Sequence, residues 1–254
     1  MNRTYISIIS MAILFLCSCS KQNEADDSNC DNINNITLFS NSPVNIGQTI
    51  HFGTQEVGGY RVYYWNGPNF YQNQYPSDSI TSAELKHEGW YYLSLSNPTG
   101  SCQKIDSIYI DVKPLQGTPP CTIPANTTTY SSLSNDSYSN VQKYIESTYS
   151  QKALVAGVSS NMTIYFHTHW RTAEPENGIY TTINSPLFDQ TDMNYNKVFI
   201  TTTKNSIYWS SYANQNVYIS HIGSKLQVRF CNLSMSGYNG TSYTTVASGN
   251  VVEQ

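Results

Sequence analysis

The side chains with the sharpest chemical potential in this 254-residue chain are two imidazoles, His167 and His169, separated by Thr168. On a strand, residues i and i+2 project from the same face. The two rings could therefore share a metal ion, with Glu174, Glu176, Asp189 or His221 as a third ligand. Such pairs are also common on exposed strand faces, and the expectation is no cofactor. Five histidines and many serines permit a hydrolytic triad on paper. Yet the chain has no Gly-x-Ser-x-Gly elbow, no His-Glu-x-x-His and no glycine-rich phosphate loop. Glu174 and Glu176 flank Pro175 and read as an exposed acidic loop, whereas glycosidases hold their two acids on different elements across a cleft. A non-catalytic protein is expected, with a metal-dependent or serine hydrolase as an alternative.

The second chemistry on offer is aromatic. The chain holds 21 tyrosines and four tryptophans. Tyr60, Tyr63, Tyr64, Tyr71, Tyr75 and Tyr92 could form a sugar-binding platform, and Trp90 or Trp170, if exposed, could stack on a pyranose. The plainer expectation is that half of these tyrosines lie in the core and half are scattered over the surface. Charged residues are 12% of the chain, about half the roughly 25% of an ordinary soluble domain. With 13 basic against 17 acidic residues there is no basic footprint for nucleic acid.

Low charge with abundant Tyr, Thr and Asn predicts an all-β protein of short strands and turns. Residues 31–113 break into strand-like runs at 36–39, 48–53, 60–65, 80–85, 89–96 and 107–112, separated by Asn, Gly and Pro clusters. This spacing is that of a β-sandwich. Residues 114–120, with Pro119-Pro120, read as an extended, semi-rigid linker. Residues 121–254 carry further runs at 153–158, 162–167, 178–183, 197–203, 216–221, 225–232 and 242–248 and predict a second antiparallel, sandwich-like domain. Leu226, Val228 and Phe230 alternate with Gln227, Arg229 and Cys231, so Cys231 should point away from Phe230 unless a bulge intervenes. Val141, Tyr144, Ile145 and Tyr149 have helical spacing and predict a short helix.

The first domain resembles the Ig-like domains of bacterial surface proteins. Trp65 sits where the core tryptophan of such a sandwich belongs, and His87-Glu88-Gly89-Trp90-Tyr91 resembles the Asp-x-Gly-x-Tyr tyrosine corner, with His87 replacing the aspartate. The resemblance implies that the Tyr91 hydroxyl turns back to the chain. Leu93 stands where immunoglobulins often have a cysteine, facing Ile50 or Phe52, so aliphatic packing replaces the inter-sheet disulfide. The second domain is similar to C-terminal domains of uncharacterised bacterial lipoproteins, a likeness carried by Gly178–Thr182, Val217-Tyr218-Ile219, Gln227–Asn232 and Ala247–Asn250 that transfers no functional residue.

The N-terminus reads as an address. Arg3 precedes an apolar run from Ile6 to Leu16, too short for the about 20 residues that span a bilayer. Leu16-Cys17-Ser18-Cys19 resembles a bacterial lipobox. That resemblance implies a signal peptide over residues 1–18, lipidation of Cys19, a polar tether over 19–30, and attachment to the outer membrane. Acidic residues at Glu24, Asp26 and Asp27 resemble surface-export signals. Four cysteines remain, Cys30, Cys102, Cys121 and Cys231, and outside the cytoplasm they can oxidise in three connectivities. The domain layout favours Cys30–Cys102 and Cys121–Cys231. Asp78-Ser79-Ile80 and Asp106-Ser107-Ile108 resemble a short O-glycan acceptor motif of extracytoplasmic bacterial proteins. The expected function is a lipid-anchored, non-catalytic binding or display module of the cell envelope, with a glycan or a protein as ligand. A carbohydrate-binding accessory lipoprotein is its nearest alternative.

Overall fold

The computed structural model describes residues 30, 33, 35–57, 61–146, 151–157, 162–167, 174–185 and 195–254. The segments expected to be a signal peptide and a tether, with Cys19, lie outside the described residues up to residue 29, as do Tyr60, His169, Trp170 and Asp189. The chain is all-β, with twenty strands among the described residues.

The N-terminal body is two packed sheets. One holds β1 (Leu38–Ser40), β3 (Ile50–Thr54) and β6 (Ser77–Ile80) in the order β1-β3-β6. The other holds β4 (Val62–Asn66), β5 (Gln72–Asn73), β7 (Gly89–Ser96) and β8 (Gln103–Ile110) in the order β5-β4-β7-β8. Short β2 (Val44–Asn45) and β9 (Val112–Lys113) pair in parallel. This crossing between sheets is a Greek-key connection order. Phe52 fills the space between the sheets, its ring 5.3 Å from Trp65 and 4.6 Å from Tyr91, with Ile50, Leu93 and Leu95 fully buried beside it. The predicted strand at 80–85 is displaced. Its pairing with β3 covers 77–80, and the chain turns at Ser82, whose φ is 58°.

The segment predicted as a spacer is docked rather than free. The Ile179 amide donates to the Leu115 carbonyl at 2.6 Å, and the Gln116 amide donates to the Asn177 carbonyl at 2.9 Å. Lys113 reaches Glu176 at 3.1 Å. These groups satisfy backbone donors and acceptors that a free extended linker would leave to water.

The C-terminal body is one eleven-stranded sheet. Its strands are β10 (Thr127–Tyr130), β11 (Asp136–Ser137), β12 (Asn140–Glu146), β13 (Gln151–Gly157), β14 (Met162–His167), β15 (Gly178–Thr182), β16 (Lys197–Lys204), β17 (Ile207–Ser211), β18 (Asn216–Ile222), β19 (Lys225–Tyr238) and β20 (Ser242–Val252). Of the predicted helix, the described part, with Val141, Tyr144 and Ile145, is strand β12, paired along its length with β13; Tyr149 lies outside the described residues. Val141 is fully buried and Tyr144 is 41% exposed. Three residues apart, they would share a helical face but take opposite faces of a strand.

The sheet forks between β16 and β19. At one end the gap is filled by β15 and β18, at the other by β17 alone. Polar side chains seal the fork. Thr182 Oγ1 donates to the Tyr212 carbonyl at 2.6 Å and accepts the Gln215 amide at 3.0 Å, while Gln215 bridges both backbone groups of Ser234. The 14-residue β19 keeps one face inward only because its register shifts between Phe230 and Leu233. Asn232, at φ 55°, donates its amide to Ser248 Oγ there. Before this bulge the even-numbered residues are buried, and after it the odd-numbered ones.

Disulfides join Cys30 to Cys102 and Cys121 to Cys231, with Cα separations of 5.5 and 5.8 Å. No helix among the described residues is long and apolar enough to cross a membrane.

Candidate functional site

The best-formed surface is the outer face of the β5-β4-β7-β8 sheet, and the start of β7 sets its register. Gly89 has a φ of 138°, and a Cβ there would lie 2.8 Å from Pro68 Cγ, so only glycine fits. Two residues on, the Tyr91 hydroxyl donates to the His87 carbonyl at 3.0 Å. With Tyr91, Leu93 and Leu95 driven inward, strand alternation turns Trp90, Tyr92, Ser94 and Ser96 outward.

Trp90 is 51% exposed, Tyr92 49% and Tyr109 42%. Trp90 faces Tyr109 across the β7–β8 pair, their rings edge to face at 5.4 Å. Tyr92 lies between Asn66 and Ser107, and Ser94 between Tyr64 and Ile105. Gln103 Nε2 donates to Ser94 Oγ at 3.1 Å. Beyond Tyr64, a shallow depression of about 460 Å³ is lined by Gln72, Asn73, Gln74 and Tyr75. No outward position of β4, β5, β7 or β8 carries a charged side chain. The surface is thus rings, amides and hydroxyls on a hydrogen-bonded frame.

A cluster of charge lies at the end next to the second body, apart from the Lys104–Asp106 pair on the opposite parity of edge strand β8. Tyr109 Oη donates to Glu88 Oε1 at 2.8 Å. Burial pushes the Glu88 carboxyl above the ordinary carboxylate range; Glu176 and Asp111 push the same way, while the Tyr109 bond and Lys113 oppose. Burial also pushes the Tyr109 phenol up to about 12, with the bond to Glu88 adding. Lys113 answers Asp111 at 2.8 Å and Glu176 at 3.1 Å.

The tyrosines singled out from the sequence divide. Tyr63 is buried, its hydroxyl accepting the Val57 amide at 2.9 Å. Tyr71 is half-buried, donating to Asp78 Oδ2 at 2.6 Å, and Asn73 donates to the same oxygen. Neither belongs to an exposed platform; Tyr64, Tyr75 and Tyr92 do. Tyr109 and Asn66 escape the sequence reading: alternation with Ile108 and Ile110 turns Tyr109 outward, but only the strand register sets it beside Trp90 and sets Asn66 beside Tyr92.

His167 and His221 take separate partners, while His169 and Asp189 lie outside the described residues. His167 is buried on β14 with its ring 5.1 Å from that of Tyr195. His221 Nδ1 meets Asn177 Oδ1 at 2.7 Å. Glu174 pairs with Lys143 at 3.0 Å and Glu176 with Lys113. Among the described residues no three His, Cys, Asp or Glu side chains converge to hold a metal. No family model matches the chain, and no curated protein matches its sequence.

Proposed function

We propose that the chain is a lipid-anchored protein of the bacterial outer membrane, held at the cell surface through Cys19, and that it works by binding rather than catalysis. Its N-terminal body is read as an Ig-like module whose outer β5-β4-β7-β8 face is the binding surface. The observation that carries this reading is a sheet face whose outward strand positions carry no charge and on which Trp90, Tyr92 and Tyr109 stay exposed side by side, whereas Phe52, Trp65 and Tyr91 are fully buried beneath it. Exposed rings among amides and hydroxyls suit a neutral glycan, which offers C–H faces for stacking and hydroxyls for hydrogen bonds. That favours the carbohydrate-binding form of the role over a charged ligand. The two disulfides are in keeping with an oxidising compartment.

Two measurements test it. Cys19→Ala should release the protein from the membrane fraction, since stable anchoring needs the acyl chains. Trp90→Ala and Tyr92→Ala should each weaken glycan binding about tenfold, as truncated aromatic hot spots do. A membrane-bound Cys19→Ala variant, or glycan binding indifferent to both ring truncations, would overturn the corresponding half.

A further inference from the structure

A second face with the same chemistry lies on the C-terminal body, where β17, the end of β19 and the start of β20 run side by side. Cross-strand register lays its outward residues out in rows. Tyr208, Tyr238 and Ser242 form one row, and Ser210, Ser236 and Thr244 the next. The third row joins Ser234 to Val246, with the Tyr212 amide donating to the Ser234 carbonyl at 3.0 Å. Eight of these nine positions carry a hydroxyl and none carries a charge. Tyr208 and Tyr238 are direct cross-strand neighbours, 52% and 68% exposed.

The face is pre-formed. Beneath it Trp209 lies opposite Gly237, close enough that a Cβ on Gly237 would come within 2.8 Å of the indole. Trp209 Nε1 is tied to the Lys204 carbonyl at 3.4 Å. A solvent-facing sheet near an edge ordinarily carries charged side chains to stay soluble and unpartnered. A hydroxyl grid without charge costs little to desolvate against a neutral partner, and each hydroxyl can both donate and accept. Charged partners would find no counter-ion here.

We propose that this grid is a second glycan-contacting surface, so that the protein grips one long neutral polysaccharide chain at two places. The inference shares the ligand chemistry of the proposed function but stands on a separate body. Two contacts on one polymer raise avidity without any new contact.

The test is affinity electrophoresis of the full mature chain in gels containing laminarin, mannan or soluble starch, with polygalacturonate as the charged control. Retardation by at least one neutral polymer and not by polygalacturonate is expected. Tyr208→Ala/Tyr238→Ala should weaken it about tenfold, and Tyr208→Phe/Tyr238→Phe less. Adding Trp90→Ala/Tyr92→Ala should weaken binding on the order of a hundredfold in all. Unchanged retardation of the Tyr208/Tyr238 variants overturns the second surface while leaving the first standing. Binding lost only through Tyr208 and Tyr238, and not through Trp90 and Tyr92, overturns the first and keeps the second. A native dimer that these tyrosine variants convert to monomer in sedimentation overturns the proposal, because the face is then covered by a second copy. No retardation by any neutral polymer overturns both.

Discussion

Lys204 closes β16 with its ammonium 2.5 Å from Asp136 Oδ1 on β11, and the two side chains are only 6% and 7% exposed. Nζ also lies 4.7 Å from the centroid of the Tyr130 ring, and Asp136 Oδ2 has no hydrogen-bond partner among the described residues. Water cannot replace either partner in such a place. Lys204→Met therefore strands a carboxylate, and Asp136→Leu strands an ammonium; each should cost about 3–5 kcal/mol. The double variant Lys204→Met/Asp136→Leu removes both charges and their desolvation together. It should lie within about 1 kcal/mol of the native protein or exceed it by about 1–4 kcal/mol. The predicted coupling is then at least about 5 kcal/mol, far above the about 0–1 kcal/mol of a surface pair. Urea unfolding of the oxidised chain, followed by tryptophan fluorescence, measures it, because Trp209 hydrogen-bonds the Lys204 carbonyl. Single variants costing under about 1 kcal/mol, or a double variant costing the sum of the singles, would refute the reasoning.

Other consequences are as concrete. Gly237→Ala places a methyl 2.7 Å from Ile207 Cγ2 and 2.8 Å from Trp209, and should cost about 1–3 kcal/mol in the same assay; a neutral result would mean that the indole moves freely. For Glu88, whose folded pKa is raised chiefly by burial, the folded state holds the proton more tightly than the unfolded chain. Its destabilisation is complete at neutral pH and is relieved as pH falls through the folded pKa. Glu88→Gln, which keeps an acceptor for Tyr109, should be the more stable protein at about pH 7 and lose that advantage near pH 4; equal stability at both would contradict the shift. Ser79 and Ser107 lie on edge strands β6 and β8, each amide accepted by the preceding aspartate at 2.7 and 2.8 Å. If the two Asp-Ser-Ile sites are glycan acceptors, the intact mass of protein from its native host should carry hexose increments lost in Ser79→Ala/Ser107→Ala, and an unmodified mass would remove that reading.

Much of the fold was legible wherever a strand buries one face. Met162–His167 and Gly89–Ser96 follow from alternation alone, and so does the inward face of β19 as far as Phe230. Legibility failed where the partner, not the segment, decides. Residues 140–146 look helical by spacing, yet β13 offers a complete ladder of backbone partners. Strand β17 hides behind a tight turn at Asn205 and Ser206, with φ of 51° and 60°, that lacks the glycine by which such hairpins are usually read.

By itself the sequence determined the strand-rich character and, up to the bulge in β19, the side of the long strands that turns inward, while it left the cysteine pairing among three connectivities. Those properties depend on residue type and a two-residue period, both local. Only tertiary structure decided which outward faces stay uncovered. It separated Tyr92 and Trp90 from Tyr63 and Tyr71, docked the linker, and set Tyr208 beside Tyr238. A surface is made by strands distant in the chain, and their pairing and register are fixed by the core they jointly bury, which no single segment encodes.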